Sequence, residues 1–160
     1  MTIRPASSAD AEAIWQIFKA VVVGGDTYVF APDTPRDEAL DYFLGPNMKS
    51  WVAELDGQVV GMYKLIPNRR DLGSHVANAS FMVDPAAHGR GIGRAMGEQC
   101  LREAKHAGYL AMQFNFVVST NTGAVHLWQD LGFTILATLP KAFNHLSLGY
   151  VDAFVMHRFL

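Results

Sequence analysis

Cysteine is nearly absent. Cys100 stands alone among 160 residues, which excludes an internal disulfide and fits a reducing compartment. Charge is sparse too: acidic and basic side chains make up 18% of the chain and nearly cancel, at a formal net charge of −2. Neither a basic nucleic-acid surface nor a highly charged disordered chain is expected from that balance. No apolar run reaches the ~18 residues of a membrane span, and Met1 to Asp10 lacks the apolar stretch of a secretion signal. A cytoplasmic protein is expected, with neither membrane nor nucleic acid among its partners. The six histidines show no metal-ligand spacing and His-Glu-x-x-His is missing, so no metal is expected. A Gly-x-Ser-x-Gly elbow is missing as well, which removes the commonest hydrolase pattern. Without repeats, low-complexity tracts or linkers, residues 1–160 read as one domain.

What is present is apolar and periodic. Half of the residues are hydrophobic, enough for a sizeable core. A short strand over Thr2 to Pro5 precedes a helix capped by Ser7, Ser8 and Asp10, with Ile14, Ile17, Phe18 and Val21 on one stripe. A second helix starts at the cap Thr34, with Pro35 in its first turn, and stops at Gly45-Pro46. Two strands, Trp51 to Leu55 and Gln58 to Ile66, flank the hairpin signal Asp56-Gly57, and a third runs from His75 to Val83. The helix from Gly91 to Ala107 is expected to bury Ile92, Ala95, Met96, Cys100, Leu101 and Ala104 on one stripe and to pair Glu98 with Arg102 outside. A strand over Ala111 to Val117, whose faces alternate with Met112, Phe114 and Phe116 against Gln113 and Asn115, a helix after Asn121, a strand over Phe133 to Ala137, a loop over Pro140 to Gly149 and a final strand from Tyr150 complete the order. Because a helix lies between the strands at His75 and Ala111, those two should run parallel, joined right-handedly.

One stretch carries the chemistry. Val83-Asp84-Pro85-Ala86-Ala87-His88-Gly89-Arg90-Gly91-Ile92-Gly93-Arg94 is a strand end, a turn and a glycine-rich helix start. A helix start offers unpaired N–H groups and the positive end of the macrodipole, and glycines let a phosphate approach the backbone. The third glycine is misplaced for a dinucleotide fingerprint, and no Gly-Lys-Ser/Thr follows for a P-loop. His88-Gly-Arg-Gly-Ile-Gly resembles the Gln/Arg-x-x-Gly-x-Gly/Ala pyrophosphate motif of the GCN5-related (GNAT) N-acetyltransferases, with His88 where Gln or Arg is preferred. A second motif of that family is matched by Asn121, Ala124, Leu127, Trp128, Gly132 and Phe133. Trp128 stands where many relatives carry a Tyr that protonates the departing thiolate; indole N–H has no usable acid function, so Trp128 reads as a packing residue.

The resemblance implies an α/β (α+β) fold: a single mixed, mostly antiparallel twisted sheet with a central parallel βαβ unit and helices on both faces. It implies acetyl-coenzyme A (acetyl-CoA) as co-substrate, held by His88, Gly89, Arg90, Gly91, Ile92, Gly93, Arg94 and Asn121, with the pantetheine arm along the backbone of Met82 and Val83. From Asn78 onward the chain is also similar to the fungal acetyltransferases of azetidine-2-carboxylate, through Phe114 to Asn121, Leu139 to Phe143 and Gly149 to Met156. In that group asparagines serve the reaction centre; by position these are Asn78, Asn115 and Asn121. On neighbouring strands Asn78 and Asn115 can share one cleft, where a buried amide needs a partner, either within the protein or on a ligand. Tyr28, Phe30, Trp51 and Phe143 are candidates for the acceptor pocket, or for core packing. The expected activity is direct acetyl transfer to a small-molecule amine, such as a cyclic imino acid. The alternatives are another amine, or an acetyl-CoA sensor without turnover. The apolar C-terminal strand suggests a homodimer.

Overall fold

Asp10 accepts from the Ser7 backbone N–H at 2.8 Å, and from Arg4 of β1 (Thr2–Pro5) at 2.8 and 3.0 Å. The guanidinium beside it holds this carboxyl below the usual range. That junction launches α1 (Ala11–Val22) in the computed structural model, which describes residues 1–160. The helix buries Ile14, Ile17, Phe18 and Val22. The next helix, α2 (Arg36–Leu44), has Pro35 rather than Thr34 at its cap position. The Thr34 hydroxyl instead donates to the Ala31 carbonyl at 2.7 Å, bracing the preceding turn.

Asp56 and Gly57, at φ 54° and 79°, close a tight hairpin between β2 (Ser50–Leu55) and β3 (Gln58–Pro67). After β4 (Val76–Val83), the chain crosses through α3 (Ile92–His106) to β5 (Ala111–Val118). It continues through α4 (Thr122–Asp130) to β6 (Thr134–His145) and β7 (Gly149–Phe159). One seven-stranded sheet results, in the order β1-β2-β3-β4-β5-β7-β6, and only β4 and β5 are parallel. One face carries α1 and α2 over Val52, Met62 and Met82; the other carries α3 and α4 over Tyr63, Ala77, Ala79 and Phe114. No helix is long and apolar enough to cross a membrane.

Three local expectations are corrected. The stretch after Pro140 is not a loop: β6 continues to His145, with Phe143 opposite Val151 and His145 opposite Gly149. A register shift between Leu139 and Phe143, with Lys141 at φ 51°, absorbs the proline, which an edge strand tolerates. Arg102 does not pair with Glu98; it donates to Gln99 at 2.8 Å, and Gln99 donates to Glu103 at 2.7 Å. In β5, the alternation breaks at a shift between Phe114 and Val117, so that Val117 and Val118 are both buried. Cys100 lies fully inside the core, where burial lifts its thiol far above the usual range and keeps it inert.

Candidate active site

The parallel ladder between β4 and β5 is short. Val76 faces Ala111 and Ala77 faces Met112, and no pairing follows. In a continued ladder the Gln113 carbonyl would accept from the β4 backbone; instead it accepts from Asn78 Nδ2 at 2.8 Å. The Asn78 amide thus stands as a wedge where the strands part. Beyond it, the alternation of β4 decides which groups face the opening. Asn68 N donates to the Val76 carbonyl and Asp84 N to the Val60 carbonyl, so the even-numbered residues of β4 bond to β3. Ala79, Phe81 and Val83 therefore turn their backbone N–H groups toward the gap. Of the two residues expected beside the pantetheine arm, Val83 offers such a donor, whereas the backbone of Met82 is committed to Met62.

The cradle follows directly. Asp84 Oδ1 accepts from Ala86 N at 2.9 Å and fixes the turn out of β4. Gly91 is the first cap of α3 at φ 74°, and Gly89 has φ 77°. A Cβ at either glycine would meet no protein atom within 4 Å, so the space above both is open. The N–H groups of Gly89, Arg90 and Gly91 have no backbone acceptor, and those of Ile92, Gly93 and Arg94 begin the helix unpaired. Packing sets the helix there: a Cβ at Gly97 would lie 2.6 Å from Leu131 and 3.2 Å from Trp128, so glycine lets α3 close on α4. Arg94 Nη2 lies 2.6 Å from Asp130, whereas Arg90 turns toward Asp56 at 3.6 Å.

A groove of about 690 Å³ runs along this surface, walled by the end of α1, Phe81 to Val83, His88, Gly89, Gly91 to Arg94, and the start of α4. Arg90 alone among the expected cradle residues is not part of its wall. A second cavity of about 280 Å³ opens from the gap between β4 and β5 and is lined by Asn78, Asn115 and Asn121, together with Tyr28, Tyr42 and Ser80. Thr27, Tyr28, Phe81, Asn121, Ala124 and Trp128 border both, so the two spaces meet there. No charged side chain lines the smaller one.

The three asparagines are held differently. Asn115 donates to Asn68 Oδ1 at 2.6 Å and accepts from the Gln113 side chain at 2.9 Å, forming a chain of amides beside Asn78. Asn121 caps α4, its Oδ1 accepting from Ala124 N at 3.3 Å. Of the expected acceptor-pocket residues Tyr28 alone lines these two cavities; its hydroxyl donates to the Phe81 carbonyl at 2.7 Å. Phe30 packs behind it against Phe18 and Tyr42, Trp51 stacks on Tyr63 with centroids 5.1 Å apart, and Phe143 meets Phe116 edge-on. These three are packing residues and border neither cavity.

Sequence reasoning missed Tyr42, Ser80 and Lys64. The Tyr42 hydroxyl lies 2.7 Å from Ser80 Oγ, and the Lys64 ammonium stands 3.1 Å from the centroid of the Tyr42 ring. Burial lifts the phenols of Tyr28 and Tyr42 above the usual range and pulls Lys64 down to about 8. The signal for Lys64 was available: it interrupts an apolar run, Val59 to Ile66, too continuous for a strand with one wet face.

The Acetyltransferase (GNAT) family model matches residues 13–133. The structure of a GCN5-related N-acetyltransferase from Kribbella flavida superposes with a TM-score of 0.94 at 44% identity, covering 99% of this chain and 97% of that one. The structure of yncA from Salmonella typhimurium, solved with its cofactor acetyl-CoA, gives a TM-score of 0.84 at 27% identity, over 100% of this chain and 94% of that one. The L-amino acid N-acetyltransferase AaaT of Escherichia coli is 29% identical over 160 residues, covering 99% of this chain and 97% of that protein.

Proposed function

Since this chain belongs to the acetyltransferase (GNAT) family, we propose that it moves the acetyl group of acetyl-CoA directly to the nitrogen of a small amino or imino acid. The observation that carries this reading is the meeting of the two spaces. A long groove with unpaired N–H groups at one end joins a small uncharged cavity at Tyr28, Phe81, Asn121 and Trp128. The groove suits the coenzyme: its phosphates on the N–H groups of Gly89 to Arg94, its acyl arm beside the exposed edge of β4. The small cavity then receives the amine.

In the reaction the nitrogen bonds to the thioester carbon, the carbonyl becomes an oxyanion, and the carbon–sulfur bond breaks to release the thiolate. The N–H of Phe81 or Val83 is the donor available to that oxyanion. The acceptor, an ammonium at neutral pH, loses one proton before attack and a second from the tetrahedral adduct, and no carboxylate lines the cavity to take them. Water held on the amides of Asn78, Asn115 and Asn121 carries both away. The thiolate, whose thiol has a pKa of ~8.5, leaves without an acid from Trp128.

The similarity to the fungal enzymes through Phe114 to Asn121 supports azetidine-2-carboxylate and proline as the acceptors to try first. Mass spectrometry after incubation with carbon-13-labelled acetyl-CoA and azetidine-2-carboxylate is expected to find the labelled N-acetyl product. Asn78→Ala is expected to lower kcat/KM for that acceptor at least tenfold, because the wedge at the cavity is lost. Unchanged turnover in that variant would remove Asn78 from the mechanism, and binding of acetyl-CoA without product from any amine would favour a sensor, the role to which the indole of Trp128 points.

A further inference from the structure

Lys64 is 4% exposed, yet no carboxylate lies within ion-pair distance of its ammonium and no hydrogen-bond acceptor holds it. Its one charge-stabilising contact is the face of Tyr42. Across the sheet Lys64 is paired with Ser80, and both side chains point to the side of α2. Tyr42 and Ser80 line the small cavity, while Lys64 does not, so its charge acts on that cavity through the ring and the two hydroxyls. The Tyr42 and Ser80 hydroxyls share one bond, Ser80 also neighbours the Tyr28 hydroxyl, and hydroxyl hydrogens of this kind can rotate toward an arriving acceptor. A cation on a buried stem, two hydroxyls and a wall without Asp or Glu converge on one spot. An ammonium with no carboxylate beside it favours a counter-ion nearby, and none is supplied by the protein.

We propose that the counter-ion is the carboxylate of the acceptor, held by the Tyr42 and Ser80 hydroxyls with Lys64 behind them as a positioning residue. The inference rests on the acetyl-transfer reading and assigns to these three residues the recognition of the carboxylate that an amino or imino acid carries close to its nitrogen. Amides, esters and decarboxylated analogues of the same ring are discriminated against. The amide wedge of Asn78, on the same strand as Ser80, then faces the ring or its nitrogen.

The test compares azetidine-2-carboxylate and L-proline with L-prolinamide and pyrrolidine at saturating acetyl-CoA, in the wild-type protein, Lys64→Met and Ser80→Ala. The wild type is expected to favour the acids at least tenfold in kcat/KM. Lys64→Met is expected to raise KM for the acids about tenfold, with kcat within about threefold and the amines that lack a carboxylate unaffected. Ser80→Ala, a small change in a folded wall, should shift the same ratio in the same direction. Equal rates for acid and amide in the wild type, or equal losses on both in the variants, would overturn the proposal. Calorimetric binding of L-proline against L-prolinamide to the wild-type protein reads the subsite without turnover. Preference for proline there with no acetylation of any amine would sink the transfer reading and keep the anion subsite; no preference would sink the subsite alone.

Discussion

Gly91→Ala is expected to raise the KM for acetyl-CoA at least tenfold, while Gly108→Ala leaves it unchanged. Both glycines have positive φ, 74° and 85°, and a Cβ at either meets no protein atom within 4 Å. Each substitution therefore adds the same backbone strain, about 1–2 kcal/mol, and a similar drop in thermal stability is expected from both. Only Gly91 caps α3 at the edge of the groove, whereas Gly108 lies past the other end of that helix. The difference between the two variants isolates what the new methyl group does to the ligand. A tenfold change corresponds to about 1.4 kcal/mol of lost binding. Equal KM values in the two variants would mean that the open space above Gly91 does not receive the coenzyme.

Trp128→Ala is expected to have the largest effect on stability, about 3–5 kcal/mol. The indole is 8% exposed and lies between Phe81 and Phe114, each with centroids 4.8 Å away, with Phe133 at 6.2 Å. It also fills the space that glycine leaves at position 97. For a chain of 160 residues the corresponding fall in Tm is roughly 6–20 °C. Trp128→Phe keeps the packing and is expected to lose less than half of that, with kcat within about threefold of wild type, since the indole supplies no proton. A collapse of kcat in Trp128→Phe at preserved stability would assign the indole N–H a part in the reaction.

The legible parts of this molecule are those encoded locally. Gly89 and Gly91 declare a positive-φ turn that few other residues adopt, and Asp56-Gly57 declares its hairpin in the same way. The order of strands and helices through α4 could be read from periodicity, caps and turn signals, and the parallel pair β4–β5 follows from the helix between those strands, whereas the mixed sheet around that pair was implied by the family resemblance. What escaped depends on partners distant in sequence. The second half of β6 looks like a loop because Pro140, Lys141 and Asn144 are poor strand formers, yet β7 supplies the pairing that holds them extended. Trp51 and Phe143 are aromatics at plausible positions whose partners, Tyr63 and Phe116, decide that they pack rather than line a cavity. Tyr42, Ser80 and Lys64 come from a helix and two strands, and their convergence exists only once α2 lies on the sheet. The Asn78 amide was open to two readings, and the geometry serves both: it clamps the Gln113 carbonyl and borders the small cavity.

The measurement that tests the account most directly is initial-rate thiol release from acetyl-CoA. Azetidine-2-carboxylate and proline would be run against a panel of primary amines and polyamines, with an enzyme-only control. The account predicts release that saturates with the cyclic imino acids, exceeds the control by more than tenfold, and is weak with polyamines, because no Asp or Glu lines the acceptor cavity. Release at the control rate with every amine, under conditions where acetyl-CoA demonstrably binds, would contradict it.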